Sequence, residues 1–126
     1  MLNRIKIDKA DSVFSQYIRL RDRHCVRCQS AVEFNDRGLP VTHQASHFFG
    51  RGKESTRFDE ENVDTLDLGC HQYWGSVDRE AYRAFKIKQL GQKGFDLLTL
   101  RANTPTKKDR KMAYLYWSTR LREIIK

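Results

Sequence analysis

Two groups of side chains in this 126-residue chain are of types that do chemistry. The first is Cys25-Val-Arg-Cys28, whose two-residue spacing lets both sulfurs reach one tetrahedral zinc from a tight turn, or lets one thiolate attack a disulfide. A redox pair belongs beside a βαβ pattern and none surrounds it, so zinc is the better reading, provided further ligands exist. The second is the stretch from His43 to Trp74, which carries His43, His47, Asn62, Cys70 and His71. A neutral imidazole can take up a proton near neutrality, because its ordinary pKa is about 6.5. Directly after His47, the segment from Gly50 to Asn62 mixes two glycines with many charges, which is loop composition, and it holds Arg51, Lys53 and Arg57. Guanidinium groups pair bidentately with phosphate oxygens and an ammonium adds a point charge, so these three are candidate nucleic-acid contacts. An ordinary flexible surface loop has the same composition.

Composition bounds the rest. A formal net charge of +8 and a pI near 9.6 suit a partner with a phosphate backbone, although charge alone does not decide for one. The start, Met-Leu-Asn-Arg-Ile-Lys-Ile-Asp-Lys, carries charges where a signal region would be apolar, and no apolar run approaches the roughly 20 residues of a membrane span. The expectation is a soluble, cytoplasmic protein with no membrane partner. Three cysteines are an odd count, and in a reducing compartment a Cys-x-x-Cys pair points to metal or redox chemistry before a structural disulfide. The length predicts one domain, small enough to benefit from a structural metal.

The elements that must position these groups follow from periodicity and punctuation. Asp11 or Ser12 is a candidate cap for a helix through about Arg23, with Val13, Phe14, Tyr17, Ile18 and Arg21 on its packed face. Its other face carries Arg19 and Arg23, either solvated or set against phosphates. Gly38, Pro40 and the flanking apolar runs predict a hairpin, and the region to Phe49 reads as strand. On that alternation His43, Ala45 and His47 share a face. Cys70-His71 should open a short helix to about Trp74. Ser76 or Asp78 caps the next, with Tyr82, Phe85 and Leu90 inward and Gly91 as its stop. A shorter helix around Phe95 to Leu100 precedes a break at Asn103-Thr-Pro-Thr. Thr106 and Asp109 resemble a capping box for a last helix striped with Ala113, Tyr114, Trp117, Leu121, Ile124 and Ile125, aromatics better suited to a core than to base stacking. From Arg101 onward there are eight basic and two acidic residues, a candidate DNA-contacting flank.

Ser15-Gln-Tyr-Ile-Arg-Leu-Arg-Asp22, Cys25-x-x-Cys28, Gln44-Ala-Ser-His-Phe48, Arg51, Thr56-Arg-Phe-Asp-Glu60, Asn62-Val63 and Cys70 together resemble the phage NinG (Rap) recombination proteins, a branch of the HNH nuclease superfamily. The likeness continues into the helical region from Tyr82 to Leu100. It implies an α+β fold in a single domain, 1–126. A small ββα-metal (HNH) finger with zinc-knuckle-like loops would span about 39–75, flanked by an N-terminal helix and a helical C-terminal part at about 77–126. It also implies a metal-dependent DNA endonuclease that acts in recombination on branched DNA.

Within that resemblance His47 is the general base. Asn62 pins the loop between the strands or helps hold the cation, and His71 ligates a magnesium or manganese ion that acts as Lewis acid on the scissile phosphate. Two departures matter. Position 46 is serine, where many HNH enzymes place a cation ligand, which leaves His43 as a candidate helper. The superfamily's second cysteine pair falls five and eight residues after the asparagine, here Asp67 and Cys70, so one thiolate has become a carboxylate. Aspartate ligates zinc through oxygen, so Cys25, Cys28, Asp67 and Cys70 can complete a structural zinc site; His24 or His43 could substitute, or the site could be empty. Besides the nuclease, the residues admit a catalytically inactive zinc-stabilised DNA-binding protein, and an assembly protein whose Cys-x-x-Cys only folds a loop. They leave open DNA against RNA and monomer against homodimer, though a resolvase cutting two strands symmetrically favours a two-fold dimer.

Overall fold

The first helix, α1 (Lys9–Asp22), is opened by Asp8, whose carboxylate accepts from the amides of Ala10 and Asp11 while the Asp11 side chain accepts from the amide of Asp8. This reciprocal box sets the cap at Asp8 rather than at Asp11 or Ser12, and it turns the Asp11 carboxylate inward. Arg23, in the left-handed region at φ +63°, ends the helix. These details come from a computed structural model that describes residues 6–125; the charged N-terminal start therefore lies largely outside the described residues.

The strands are short. β1 (Gln44–His47) and β2 (Val63–Leu66) pair antiparallel, with Gln44 opposite Leu66, Ala45 opposite Thr65, Ser46 opposite Asp64 and His47 opposite Val63. Between them lie α2 (Glu54–Arg57) and a 3-10 turn over Glu60–Asn62. The outer edge of β2 would be open to pairing, but the end of α1 closes it. The amide of Thr65 donates to Asp22 at 2.9 Å, Arg21 donates to the carbonyls of Glu60 and Val63, and the amide of Val26 donates to the carbonyl of Thr65.

After β2 comes α3 (Leu68–Gln72), then a wide turn over Tyr73–Val77 and α4 (Arg79–Ala102), which is broken at Gly91. Gly91 has φ +77°, a conformation natural to glycine, and the stop predicted there is present. Asp109 itself caps α5 (Arg110–Ile124), replacing the predicted box with Thr106. The architecture is α+β, as expected from the sequence.

The sheet has a core on each face. Phe14, Tyr17, Ile18 and Leu20 of α1 meet Ala45, Val63 and the α5 residues Trp117 and Leu121 on one side. Phe48, Leu66, Cys70, Trp74, Tyr82 and Phe95 gather with Cys25 on the other. This second side also buries a polar knot. Lys86, fully buried, donates to Asp64 Oδ2 at 3.1 Å, to Gln89 and to the carbonyl of Glu61, while Gln89 and the Tyr82 hydroxyl donate to Asp64. Every donor of the ammonium has a partner, which is what lets a charge sit there.

Candidate functional site

Four ligands converge beside the second core. Cys25 and Cys28 come from the turn after α1, Asp67 caps α3, and Cys70 lies one turn into that helix. Their ligand atoms all lie within 4.8 Å of one another. A tetrahedral zinc with Zn–S of about 2.3 Å needs ligand atoms roughly 3.5 to 3.8 Å apart, so a small contraction would close the shell. All three cysteines are free thiols, and Cys28 Sγ donates to Asp67 Oδ2 at 2.8 Å. That donation and the amide of Cys70 hold the Asp67 carboxyl well below the usual carboxylate range. Burial pushes the Cys70 thiol up to about 12, with Asp67 and the other two thiols adding to the effect. At Cys25 burial also opposes the thiolate, but surrounding amide donors outweigh it and its pKa falls. Three sulfurs and a carboxylate cannot all ionise together without a cation among them. The donor set fits zinc.

The predicted substitutes take no part in this cluster. The His43 ring is tied to Thr42 Oγ1 at 2.9 Å and to Ser30 Oγ at 3.0 Å, and Ser30 in turn donates to Asp67 Oδ2. His43 has φ +69° and precedes the strand, so the strand's regular alternation does not extend to it; it lines one cleft with Ala45, Arg51 and His71.

On the opposite side of the sheet β1 ends at His47. The His47 ring packs near Phe14, with centroids 6.3 Å apart, and its Nε2 contacts the carbonyl of Arg57 at 2.8 Å. A carbonyl only accepts, so Nε2 carries the proton in the neutral ring and Nδ1 keeps its lone pair. Nδ1 is buried without a partner. Burial first, then Arg51, lowers the His47 pKa to about 4, against the raising effects of the Arg57 carbonyl and Asp11. The imidazole is neutral across the physiological range.

Asn62 pins the loop. Its side chain, fully buried, accepts from the amide of Phe49 at 2.8 Å and donates to the carbonyls of Phe49 and Thr56. Two of these bonds hold Phe49, just past β1, and the third holds α2.

Of the three predicted nucleic-acid contacts, Arg57 is corrected. Its guanidinium is 3% exposed, donates to both Asp11 oxygens at 2.8 and 2.6 Å and also to the carbonyl of Lys6. It has no face to offer a phosphate. Lys53 is exposed and donates to Asn103, and Arg51 lies half-buried with Nε 3.7 Å from Asp11. Arg51 also lines a cleft of about 470 Å³ with His71, His43, Gln44, Arg19, Ser12 and neighbours. There burial, then Arg51, lowers the pKa of His71.

Donors for a catalytic magnesium or manganese are sparse. Ser46 is turned to the far face against Tyr82, Asp11 is occupied by Arg57, and His43 is tied down, which leaves His71. Imidazole is a poorer partner than carboxylate for these ions, so the residues present do not make a cation site of their own.

Asp11 is the site residue missed in sequence. Its only signal there is that of a helix cap, and nothing local shows that it faces Arg57. Compared with known proteins, the chain matches no family model, no curated protein and no solved structure.

Proposed function

We propose that this chain is a DNA endonuclease of the HNH type, in which β1, the loop, β2 and α3 form the ββα finger and His47 is the general base. One observation carries the reading: at the mouth of a basic loop, a neutral histidine has one nitrogen fixed on a backbone carbonyl and the other bare. The fixed nitrogen sets the tautomer and leaves Nδ1 as the nitrogen that can take the proton of an attacking water; Nδ1 is buried, so the loop after β1 must open for that water to reach it. Arg51 supplies positive charge beside both His47 and His71, where a phosphodiester would bring negative charge. Asn62 holds the loop that carries these groups. Zinc, bound by Cys25, Cys28, Asp67 and Cys70, would be structural, fixing the start of α3 against the turn after α1.

A magnesium or manganese ion belongs to the proposal through the family resemblance alone. It would supply Lewis acidity, with His71 its protein ligand and water or phosphate filling the rest. Branched DNA is the expected substrate on the same ground, and the basic stretch from Arg101 is an expected flank for it.

Cleavage of a labelled four-way junction and a matched linear duplex, with magnesium, manganese or EDTA, by the wild type and His47→Ala tests the proposal. Cation-dependent cutting that vanishes in the mutant is the expected result. A second reading, the zinc-stabilised DNA-binding protein without catalysis, draws on the metal donors. Among the described residues the one group of three or more close donors is the Cys and Asp cluster, away from His47. Salt-dependent DNA binding without cutting under every cation would favour it.

A further inference from the structure

The corner that holds His47 contains an anomaly that the base role alone does not explain. Among the described residues, the buried side-chain polar atoms without a partner are His47 Nδ1, Arg51 Nε and Thr56 Oγ1. They lie at the end of β1, in the loop after it and in α2. Buried polar atoms are normally satisfied, so orphans gathered in one place mark a locus held for something other than stability. Next to them lies a buried ion pair from outside the finger. Asp11 of α1 is 3% exposed and grips the Arg57 guanidinium through Nε and Nη2. A buried pair of this kind is seldom more stabilising than apolar residues of the same volume, but its two parallel bonds fix orientation.

What it orients is specific. The carbonyl of Arg57, the residue whose side chain Asp11 holds, is the acceptor for His47 Nε2. Phe14, one turn along α1 from Asp11, packs near the ring. Asn62 holds the preceding carbonyl, that of Thr56, from below. Resting on the reading of His47 as base, we infer that Asp11 is a positioning residue for the reaction: its pair with Arg57 fixes the carbonyl that holds His47 Nε2, and so keeps the ring in the one tautomer that leaves Nδ1 free of a proton.

Three charged groups act on the His47 ring: Arg51 from the loop, Arg57 from α2 and Asp11 from α1, the first two opposing the imidazolium and the last favouring it. Asp11→Asn keeps the shape of the side chain but removes one acceptor and the charge, leaving two guanidiniums uncompensated. It therefore moves the ring in two ways that a purely structural role would not: the Nε2–H tautomer is no longer enforced, and the titration midpoint falls.

The test is nitrogen-15 NMR of the histidine rings in wild type, Asp11→Asn and Asp11→Glu, with His47 assigned by His47→Gln, alongside pH profiles of cleavage. The expected result is a single Nε2–H tautomer in the wild type and a tautomer mixture with a lower midpoint in folded Asp11→Asn. Partial recovery is expected in Asp11→Glu. In cleavage, kcat should fall about 100-fold, KM should hold, and the acid limb should move down in pH. A folded Asp11→Asn with the wild-type tautomer and midpoint overturns the inference. If Asp11→Asn does not fold, Arg57→Lys, which keeps the charge and breaks the bidentate grip, is read for the tautomer by the same criterion. A wild type that cuts no DNA while its ring still responds to Asp11→Asn overturns the nuclease and not the positioning. Cutting that needs His47 but ignores Asp11 does the reverse.

Discussion

The two polar centres of this molecule hang on one two-stranded sheet and are charged in opposite senses. The Cys25, Cys28, Asp67 and Cys70 corner gathers four groups that are anionic when deprotonated, with Arg27 alone donating to a sulfur from outside. The His47 corner gathers two guanidiniums, Arg51 and Arg57, against the single carboxylate of Asp11. The first is short of positive charge and the second short of negative charge. A cation would complete the one; the other is balanced internally, with Asp11 taken up by Arg57 and Arg51 left half-buried beside it. They also differ in what keeps them shaped: the cysteine corner is tied at the Asp67 carboxylate, which accepts from Cys28, Ser30 and the amide of Cys70, whereas the histidine corner is held by a buried ion pair and the three bonds of Asn62.

That contrast is broken most severely by removing the metal. Without metal, the turn after α1 and α3 are joined by polar bonds, from Cys28 and Ser30 to Asp67 and from Arg27 to Cys70, and in small zinc domains the binding energy is folding energy, about 10 to 16 kcal/mol in isolated fingers. Here two apolar cores share the load, so the expected effect is a large fall in Tm and not complete unfolding. Cys25→Ser should lose one bound zinc per chain, measured by elemental analysis, and melt far below the wild type. A variant that keeps its melting point with no metal bound would place the cysteine corner among ordinary packed turns.

The histidine corner should break next, and independently of metal. Removing one partner of a buried pair strands the other, at a cost of about 3 to 5 kcal/mol. Arg57→Met should therefore destabilise strongly in urea unfolding, while Asp11→Leu with Arg57→Met should recover most of the loss. Zinc content should stay at one per chain in both. Coupling between the corners, seen as zinc lost from Arg57→Met, would mean that the sheet transmits strain between them.

How far sequence could reach follows the same division. The cysteine corner was legible in two ways: metal geometry imposes the two-residue spacing between Cys25 and Cys28, and the family resemblance points to Asp67 and Cys70 by their offsets from Asn62. Gly91 was legible because a positive φ has few residues to serve it. The histidine corner was legible only in part. His47 and Asn62 stood out by type and order, but Arg57 reads as a surface charge until Asp11, 46 positions away, is seen to hold it. Lys86 reads the same way and is fully buried, because Asp64 of β2, the carbonyl of Glu61 in the 3-10 turn and Gln89 of its own helix meet it. Tertiary pairing of charges leaves no periodic mark, whereas spacing around a ligand does.

Acid should separate the corners by a smaller amount. The His47 pKa falls from 6.5 to about 4 on folding, so the native chain binds the proton less readily than the unfolded one. Its contribution is fully present above about pH 6.5 and is lost as pH falls from there through about 4, at most about 3 kcal/mol. His47→Gln should flatten the stability curve in that window relative to wild type. An unchanged slope in urea melts at several pH values would show that the ring is more hydrated than its packing implies.

The smallest expected effect, and the sharpest on the cysteine corner, comes from Asp67. Its carboxylate has two jobs: Oδ1 accepts from the amide of Cys70 at 2.8 Å and caps α3, while Oδ2 faces Cys28. Asp67→Asn keeps a capping oxygen and removes the charge, so the metal-free chain should melt within a few degrees of wild type while zinc affinity drops. Asp67→Cys restores a fourth thiolate but loses the cap, about 1 kcal/mol, so the metal-free chain should be weaker and the zinc tighter. Zinc affinity from chelator competition therefore moves in opposite directions in the two variants if Asp67 is a ligand, while only Asp67→Cys weakens the metal-free chain. If it is only a helix cap, affinity stays constant in both and stability alone follows the loss of the capping oxygen.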